Sequence, residues 1–247
     1  IEVPTGLVNP VAVSAGAWHT CAIDDNGLQC WGFNGNGQIE VPTGLVNPVE
    51  VSAGRWHTCA IDDNGVHCWG DNNYGQTAVP TGLVNPVAVS TGGYHTCAID
   101  DNGLQCWGST SDGQTDVPTD LVNPVAVSAS LFNTCVLDDN GVQCWGDNRE
   151  GQTDVHTDLV NPVAITAGWQ HTCAIDDNGV RCWGRNNEGQ TDVPTGLVNP
   201  VAVSIGNNHT CAIDDNGVQC WGSNDVGQTD VPTNRPRKRA AFFKICF

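Results

Sequence analysis

The stretch IEVPTGLVNPVAVSAGAWHTCAIDDNGLQCWGFNGNGQ, Ile1 to Gln38, recurs from Ile39, Thr77, Thr115, Thr153 and Thr191, each time 38 residues further on. No insertion or deletion breaks the register, so six repeats (1–38, 39–76, 77–114, 115–152, 153–190 and 191–228) cover 228 residues and leave 19 at the C-terminus. Within one unit, VAVSAG from Val11, HTCAI from His19 and LQCWG from Leu28 have strand character, each bounded by Gly, Pro, Asn or Asp. A fourth candidate, IEVP from Ile1, contains a proline and is confined to an edge or a strand end. No stretch keeps a 3.6-residue apolar period long enough for a helix. Three to four short antiparallel strands per unit predict an all-β fold, a β-propeller of six blades, or of seven with one incomplete. A β-solenoid is the rival, but its coils are shorter and seldom need a tight hairpin in every unit. VPT-like segments occur seven times, the last at Val231, so residues 229–233 are expected to supply a closing strand. The expected organisation is one domain over 1–233, followed by a basic and apolar tail over 234–247.

The string AGxxHTCAIDDNGxQCWGxxxxGQ resembles the repeat of the regulator of chromosome condensation family. In the first unit the matching positions are Gly16, His19, Gly27, Trp31, Gly32, Gly37 and Gln38. The resemblance runs to about Thr233 and implies a propeller, usually of seven blades. It also implies one candidate activity, guanine-nucleotide exchange on a GTPase, which the founding member performs with features outside the bare repeat. The uniform units here carry no inserted wedge loop, and fold alone does not transfer function.

Charge argues against a chromatin role. The chain has 27 Asp and Glu against 9 Lys and Arg, a formal charge of −18. Up to residue 234 the only bases are Arg55, Arg149, Arg181 and Arg185, so the repeat body carries −23 and the tail +5. Nucleic acid is excluded as a partner, because phosphate neutralisation needs clustered Lys and Arg. No apolar run reaches the roughly 20 residues of a membrane span. The absence of Met marks a processed or trimmed chain, so location must be argued from other features.

Thirteen cysteines provide one. Six pairs, Cys21 and Cys30, Cys59 and Cys68, Cys97 and Cys106, Cys135 and Cys144, Cys173 and Cys182, and Cys211 and Cys220, each flank an Asp-Asp-Asn-Gly turn, and Cys246 is left over. If Asp25-Asn26 is the two-residue centre of the turn, the pair faces across the hairpin; a bulge at Gly27 would put its members on opposite faces. Disulfides are favoured over buried thiols, and both over zinc, since one pair per blade does not supply four ligands. Six such staples point to an extracellular, periplasmic or cell-surface location.

Six internal copies also separate scaffold from variation. The pair at Ala17-Trp18 becomes Arg55-Trp56, Gly93-Tyr94, Leu131-Phe132, Trp169-Gln170 and Asn207-Asn208, and the block Phe33 to Asn36 varies likewise. Loops alternate between the two ends of an up-and-down blade, so both variable blocks are expected on one face. The constant Asp-Asp-Asn-Gly and Thr-Gly-Leu-Val-Asn-Pro turns then fall on the other, with a ring of twelve carboxylates from Asp24, Asp25 and their equivalents. Aromatic side chains are enriched at recognition sites. The candidate partner-binding residues are therefore Trp18, Phe33, Arg55, Trp56, Tyr74, Tyr94, Leu131, Phe132, Trp169, Gln170, Arg185, Asn207 and Asn208. Trp31 and its five equivalents are read as packing between blades.

No nucleophile stands beside a unique His and acid, and no phosphate loop is present. The His19 series is read as structural, and the Asp-Asp-Asn-Gly turns lack the closing Glu of a calcium loop. Neither an enzyme, a cofactor nor a metal is expected. The expected function is recognition of a protein partner, by similarity also to propeller-type β-lactamase inhibitory proteins, with a glycan as the alternative ligand.

Overall fold

The computed structural model describes residues 2–232; Ile1, Thr233, and the tail 234–247 with Cys246 lie outside the described residues. Each repeat forms one three-stranded antiparallel sheet in simple up-and-down order, giving six blades. In blade 1 the inner strand is Ala12–Ala15, the middle strand His19–Asp24 and the outer strand Gly27–Gly32. The pattern recurs to blade 6, with Ala202–Ile205, His209–Asp214 and Gly217–Gly222. Inner strands of consecutive blades pack on one another around a central channel.

The fourth strand does not form. Val41 N donates to the Ile39 carbonyl and Val79 N to that of Thr77, both at 3.0 Å, so these segments are tight turns that the following proline prevents from joining a ladder. Over 229–232 the same turn recurs, Val231 N donating to Thr229 O, in place of the closing strand expected there.

The hairpin register decides the cysteine question. Phe33 N donates to Trp18 O, and in an antiparallel ladder bonded and non-bonded pairs alternate, which leaves Cys21 opposite Cys30 at a closely spaced non-bonded pair. The same register sets Cys59 opposite Cys68, Cys97 opposite Cys106, Cys135 opposite Cys144, Cys173 opposite Cys182 and Cys211 opposite Cys220. All six pairs are joined as disulfides, with Cα–Cα distances of 4.0–4.1 Å, as the sequence reading expects. Gly27 does take a positive φ of 105°, yet Asp24 pairs directly with Gly27 and the cysteines stay on one face. Within the described residues no cluster of His, Cys, Asp or Glu is arranged to hold a metal.

The twelve carboxylates are not one ring. Asp24 and its equivalents are buried, accepting from the Val8 amide at 2.7 Å and the Asn26 amide at 2.8 Å, so they tie the preceding connection to the hairpin. The Val8 bond holds the Asp24 carboxyl below the usual carboxylate range, against partial desolvation. Only Asp25 and its equivalents face solvent, where Asp25 accepts from Asn9 Nδ2. Asn9 adopts φ 47°, the left-handed region that asparagine tolerates well.

Blades are joined by a buried polar strut. The Gln38 carbonyl accepts from Thr58 Oγ1 at 2.8 Å and from the Trp69 indole at 3.0 Å, while His19 Nε2 lies 2.7 Å from the same hydroxyl. A hydroxyl carries one proton, and Thr58 gives it to the carbonyl, so His19 must donate from Nε2 and leave Nδ1 bare and buried. Burial pushes His19 and His171 down to about 4, and His57 and His95 down to about 3. Blade 4 departs from the pattern: Asn133 replaces the histidine and bonds Ser130 of its own blade, where the other repeats have glycine. The two changes are coupled by space. A Cβ on Gly206 would run into the His209 ring, so a side chain there requires a smaller residue in the histidine position.

Two outcomes follow. Neutral imidazoles depressed from 6.5 contribute stability that is complete above pH 6.5 and lost as pH falls towards 4. The urea midpoint should drop between pH 7.5 and 4.5, and an unchanged midpoint would contradict the strut. Gly206→Ser alone should cost about 1–3 kcal/mol, and His209→Asn in the same chain should recover most of it; additive losses in urea melts would refute the coupling.

Candidate binding face

The two variable loops of each repeat are stitched together. Phe33 N donates to Trp18 O at 2.9 Å, and the same bond recurs from Asp71 to Trp56, Ser109 to Tyr94, Asp147 to Phe132, Arg185 to Gln170 and Ser223 to Asn208. The paired blocks therefore share one face. At the other end Asp25 N donates to Val8 O at 2.9 Å, joining the two constant turns.

On the variable face, blades 1 to 4 form a continuous aromatic arc. Trp18 stacks on Trp56 with centroids 6.3 Å apart and planes at 22°, and Phe33 meets Trp56 edge-on at 6.3 Å. The Arg55 guanidinium lies 5.3 Å from the Trp56 centroid and 6.0 Å from that of Tyr94, a cation–π bridge between blades 2 and 3. Tyr74 meets Tyr94 edge-on at 5.2 Å, and Tyr94 stacks on Phe132 at 6.1 Å. Trp18, Phe33 and Tyr74 remain at least half exposed. Such rings cannot be explained as core.

The remaining candidates divide. Leu131, Trp169 and Asn207 border the central cavity of about 780 Å³, as do Trp18 and Arg55 of the arc, and the Leu131 side chain lies over Gly93. Gln170 and Arg185 hydrogen-bond each other away from the arc. Asn207 and Asn208 belong to blade 6, beyond the aromatic run. The structure thus brings Trp18, Phe33, Arg55, Trp56, Tyr74, Tyr94 and Phe132 together and leaves the other six candidates outside that group.

Three contributors were missed in the sequence. A hollow of about 350 Å³ across the rims of blades 1 to 3 is lined by Phe33, Trp56, Tyr74 and Tyr94 together with Asn36, Asp71 and Asn73. The last three lie in the variable block but resemble ordinary turn residues. Asp71 does serve the turn, accepting from Asn73 Nδ2 at 2.6 Å and Gln76 Nε2 at 2.9 Å. Its second duty on the wall of the hollow is visible only in three dimensions.

Comparison with known proteins settles the family. The Regulator of chromosome condensation (RCC1) repeat matches six times, at residues 11–38, 49–76, 87–114, 125–152, 163–190 and 201–228, well over half of the chain. The chain belongs to the family of proteins built from this repeat. Among solved structures it is similar to the ectodomain of the Physcomitrella patens receptor kinase CR4, with TM-score 0.75 and 24% identity over 90% of this chain and 66% of that one. Prp20p from Saccharomyces cerevisiae, a protein with binding properties toward Gsp1p and histones, gives 0.75 and 18% over 86% and 72%. The ectodomain of the Arabidopsis thaliana receptor kinase ACR4 gives 0.66 and 25% over 85% and 78%. The chain therefore spans just under two thirds of the first of these relatives. No match to a curated protein sequence is found. Among the described residues, no helix is long and apolar enough to cross a membrane.

The two classes of aromatic residue in this repeat protein should separate in mutagenesis. Trp107 is 9% exposed and donates to the Gln76 carbonyl, so Trp107→Ala should cost about 3–5 kcal/mol of stability. Phe33→Ala, on a half-exposed rim, should cost under about 1 kcal/mol. Equal losses in denaturant melts would contradict the division into scaffold and face.

Proposed function

We propose that this propeller is a non-catalytic, extracytoplasmic scaffold that recognises a protein partner through the aromatic arc on its variable face. The observation that carries the reading is the arc itself. Seven side chains from four blades meet edge to face and stack to stack at positions that the scaffold does not need, as the change of residue at each position from repeat to repeat makes plain. Aromatic and arginine side chains gathered on an exposed face are the usual composition of an interface centre.

Six disulfides support an oxidising compartment, as does likeness in fold to two receptor ectodomains. The same cystines weigh against exchange on an intracellular GTPase. A glycan is the weaker alternative. A lectin ring would present similar, separate platforms in each blade, whereas here the rings stack on one another and the polar residues beside them differ.

The test compares the wild type with a double variant, Trp56→Ser with Tyr94→Ser. The wild type should retain a specific extracellular protein at sub-micromolar affinity and show no signal on a glycan array. The variant should keep its fold by circular dichroism and lose at least tenfold in affinity. Binding to glycans, or equal protein binding by both forms, would overturn the reading.

A further inference from the structure

Two blades carry a carboxylate at the position of Phe33, and only one of the two is given a cation. In blade 4, Asp147 accepts from Arg149 Nε at 2.7 Å and from Arg149 Nη2 at 3.1 Å, a bidentate pair, while its Oδ2 also takes Gln152 Nε2 at 3.2 Å. In blade 2, Asp71 holds the equivalent position and takes Gln76 Nε2 at 2.9 Å in the same way. The equivalent of Arg149 there is Asn73, whose neutral amide reaches Asp71 at 2.6 Å. Among the described residues, no Lys, Arg or His forms an ion pair with Asp71.

Asp71 also stands on the wall of the 350 Å³ hollow, with the rings of Phe33, Trp56, Tyr74 and Tyr94 and the amides of Asn36 and Asn73. No basic residue lines it. Aromatic faces attract cations, the carboxylate adds a full negative charge, and the repeat body around them carries −23. All three features favour a cation and repel an anion. An apolar occupant would strip water from Asp71 and return nothing to it. Arg55, 5.3 Å from the Trp56 centroid and 6.0 Å from that of Tyr94, shows that a guanidinium settles on these rings, but it borders the central cavity and leaves the hollow free.

We propose that the hollow receives one arginine side chain of the protein partner, its guanidinium paired with Asp71 as Arg149 is with Asp147. The inference rests on the reading of this face as a protein-binding surface and adds the chemistry of the group that anchors there. Blade 4 supplies the template for arginine over lysine. A planar fork meets both carboxylate oxygens and lies flat on a ring, whereas an ammonium is a compact point charge. Asn36 Oδ1, on the same wall, is a further acceptor for the N–H groups that Asp71 leaves over.

The experiment titrates the oxidised chain with N-acetyl-arginine methylamide and with its neutral isostere, N-acetyl-citrulline methylamide, and follows the Trp56 indole N–H by NMR. The arginine probe should bind saturably at millimolar concentration, and the citrulline probe at least tenfold more weakly. Two variants use residues that the repeat already tolerates. Asp71→Ser brings in the side chain that blades 3 and 6 carry as Ser109 and Ser223, and should weaken the arginine probe at least tenfold. Asn73→Arg brings in the side chain of Arg149, which should fold onto Asp71 and block the probe to the same degree with an unchanged circular dichroism spectrum. Equal binding of the two probes, no saturation by the arginine probe up to about 100 mM, or unchanged affinity in either variant would overturn the proposal. None of these readouts involves the partner, so failure of the wider reading, judged by protein retention, is a separate result.

Discussion

One main-chain carbonyl per repeat, that of Gln38 and its equivalents, holds neighbouring blades in register. It accepts from an indole and a hydroxyl of the next blade, and that hydroxyl in turn accepts from the histidine of the blade before. Every member is buried, so each loss would leave a polar group unpaired in a dry joint. This requirement explains why Thr20, His19 and Trp31 recur almost without change, while Gln38 and its equivalents recur because the side-chain Oε1 accepts from the amide two residues before it, as from Asn36 N. It also explains why the loops beside them are free to differ, since the strut fixes the blade from below and asks nothing of the rim.

Much of this was legible from one chain because the chain contains its own comparisons. Cysteines nine residues apart around a fixed turn pointed to the hairpin register, and the structure pairs Cys21 with Cys30, and Cys59 with Cys68 in the next blade, as that register requires. Strand number was harder. Val3-Pro4 has the composition of an edge strand, but the proline removes the donor a ladder needs, and the segment turns instead at its equivalents. The paired aspartates Asp24 and Asp25 look identical in sequence, yet one is consumed by the Val8 amide and the other faces water. Adjacent strand-end residues point to opposite sides, and only the packing of the preceding connection tells them apart.

The candidate face was legible in outline and not in detail. Variation between repeats identified the loops, and the loops do meet, but variation could not say which rings would touch. Trp18, Trp56, Tyr94 and Phe132 join because consecutive blades place equivalent positions within stacking distance of one another. Trp169 stands one slot earlier in its loop, in the place of Arg55 and Leu131, where it borders the central cavity and does not continue the stack. Asn36, Asp71 and Asn73 were invisible because their turn chemistry accounts for them fully until the hollow is seen.

Disulfides and struts divide the labour of stability. The cystines stiffen each hairpin and limit the unfolded chain, while the struts orient one blade on the next. A scaffold so over-determined can carry exposed tryptophan, phenylalanine and tyrosine without losing its shape. The most direct test of the account is hydrogen-exchange mapping of the chain with its bound partner. Protection should gather in the paired variable loops of blades 1 to 4, around 17–18, 33–36, 55–56, 71–74, 93–94 and 131–132. Protection centred on the Asp-Asp-Asn-Gly turns of the opposite face would contradict it.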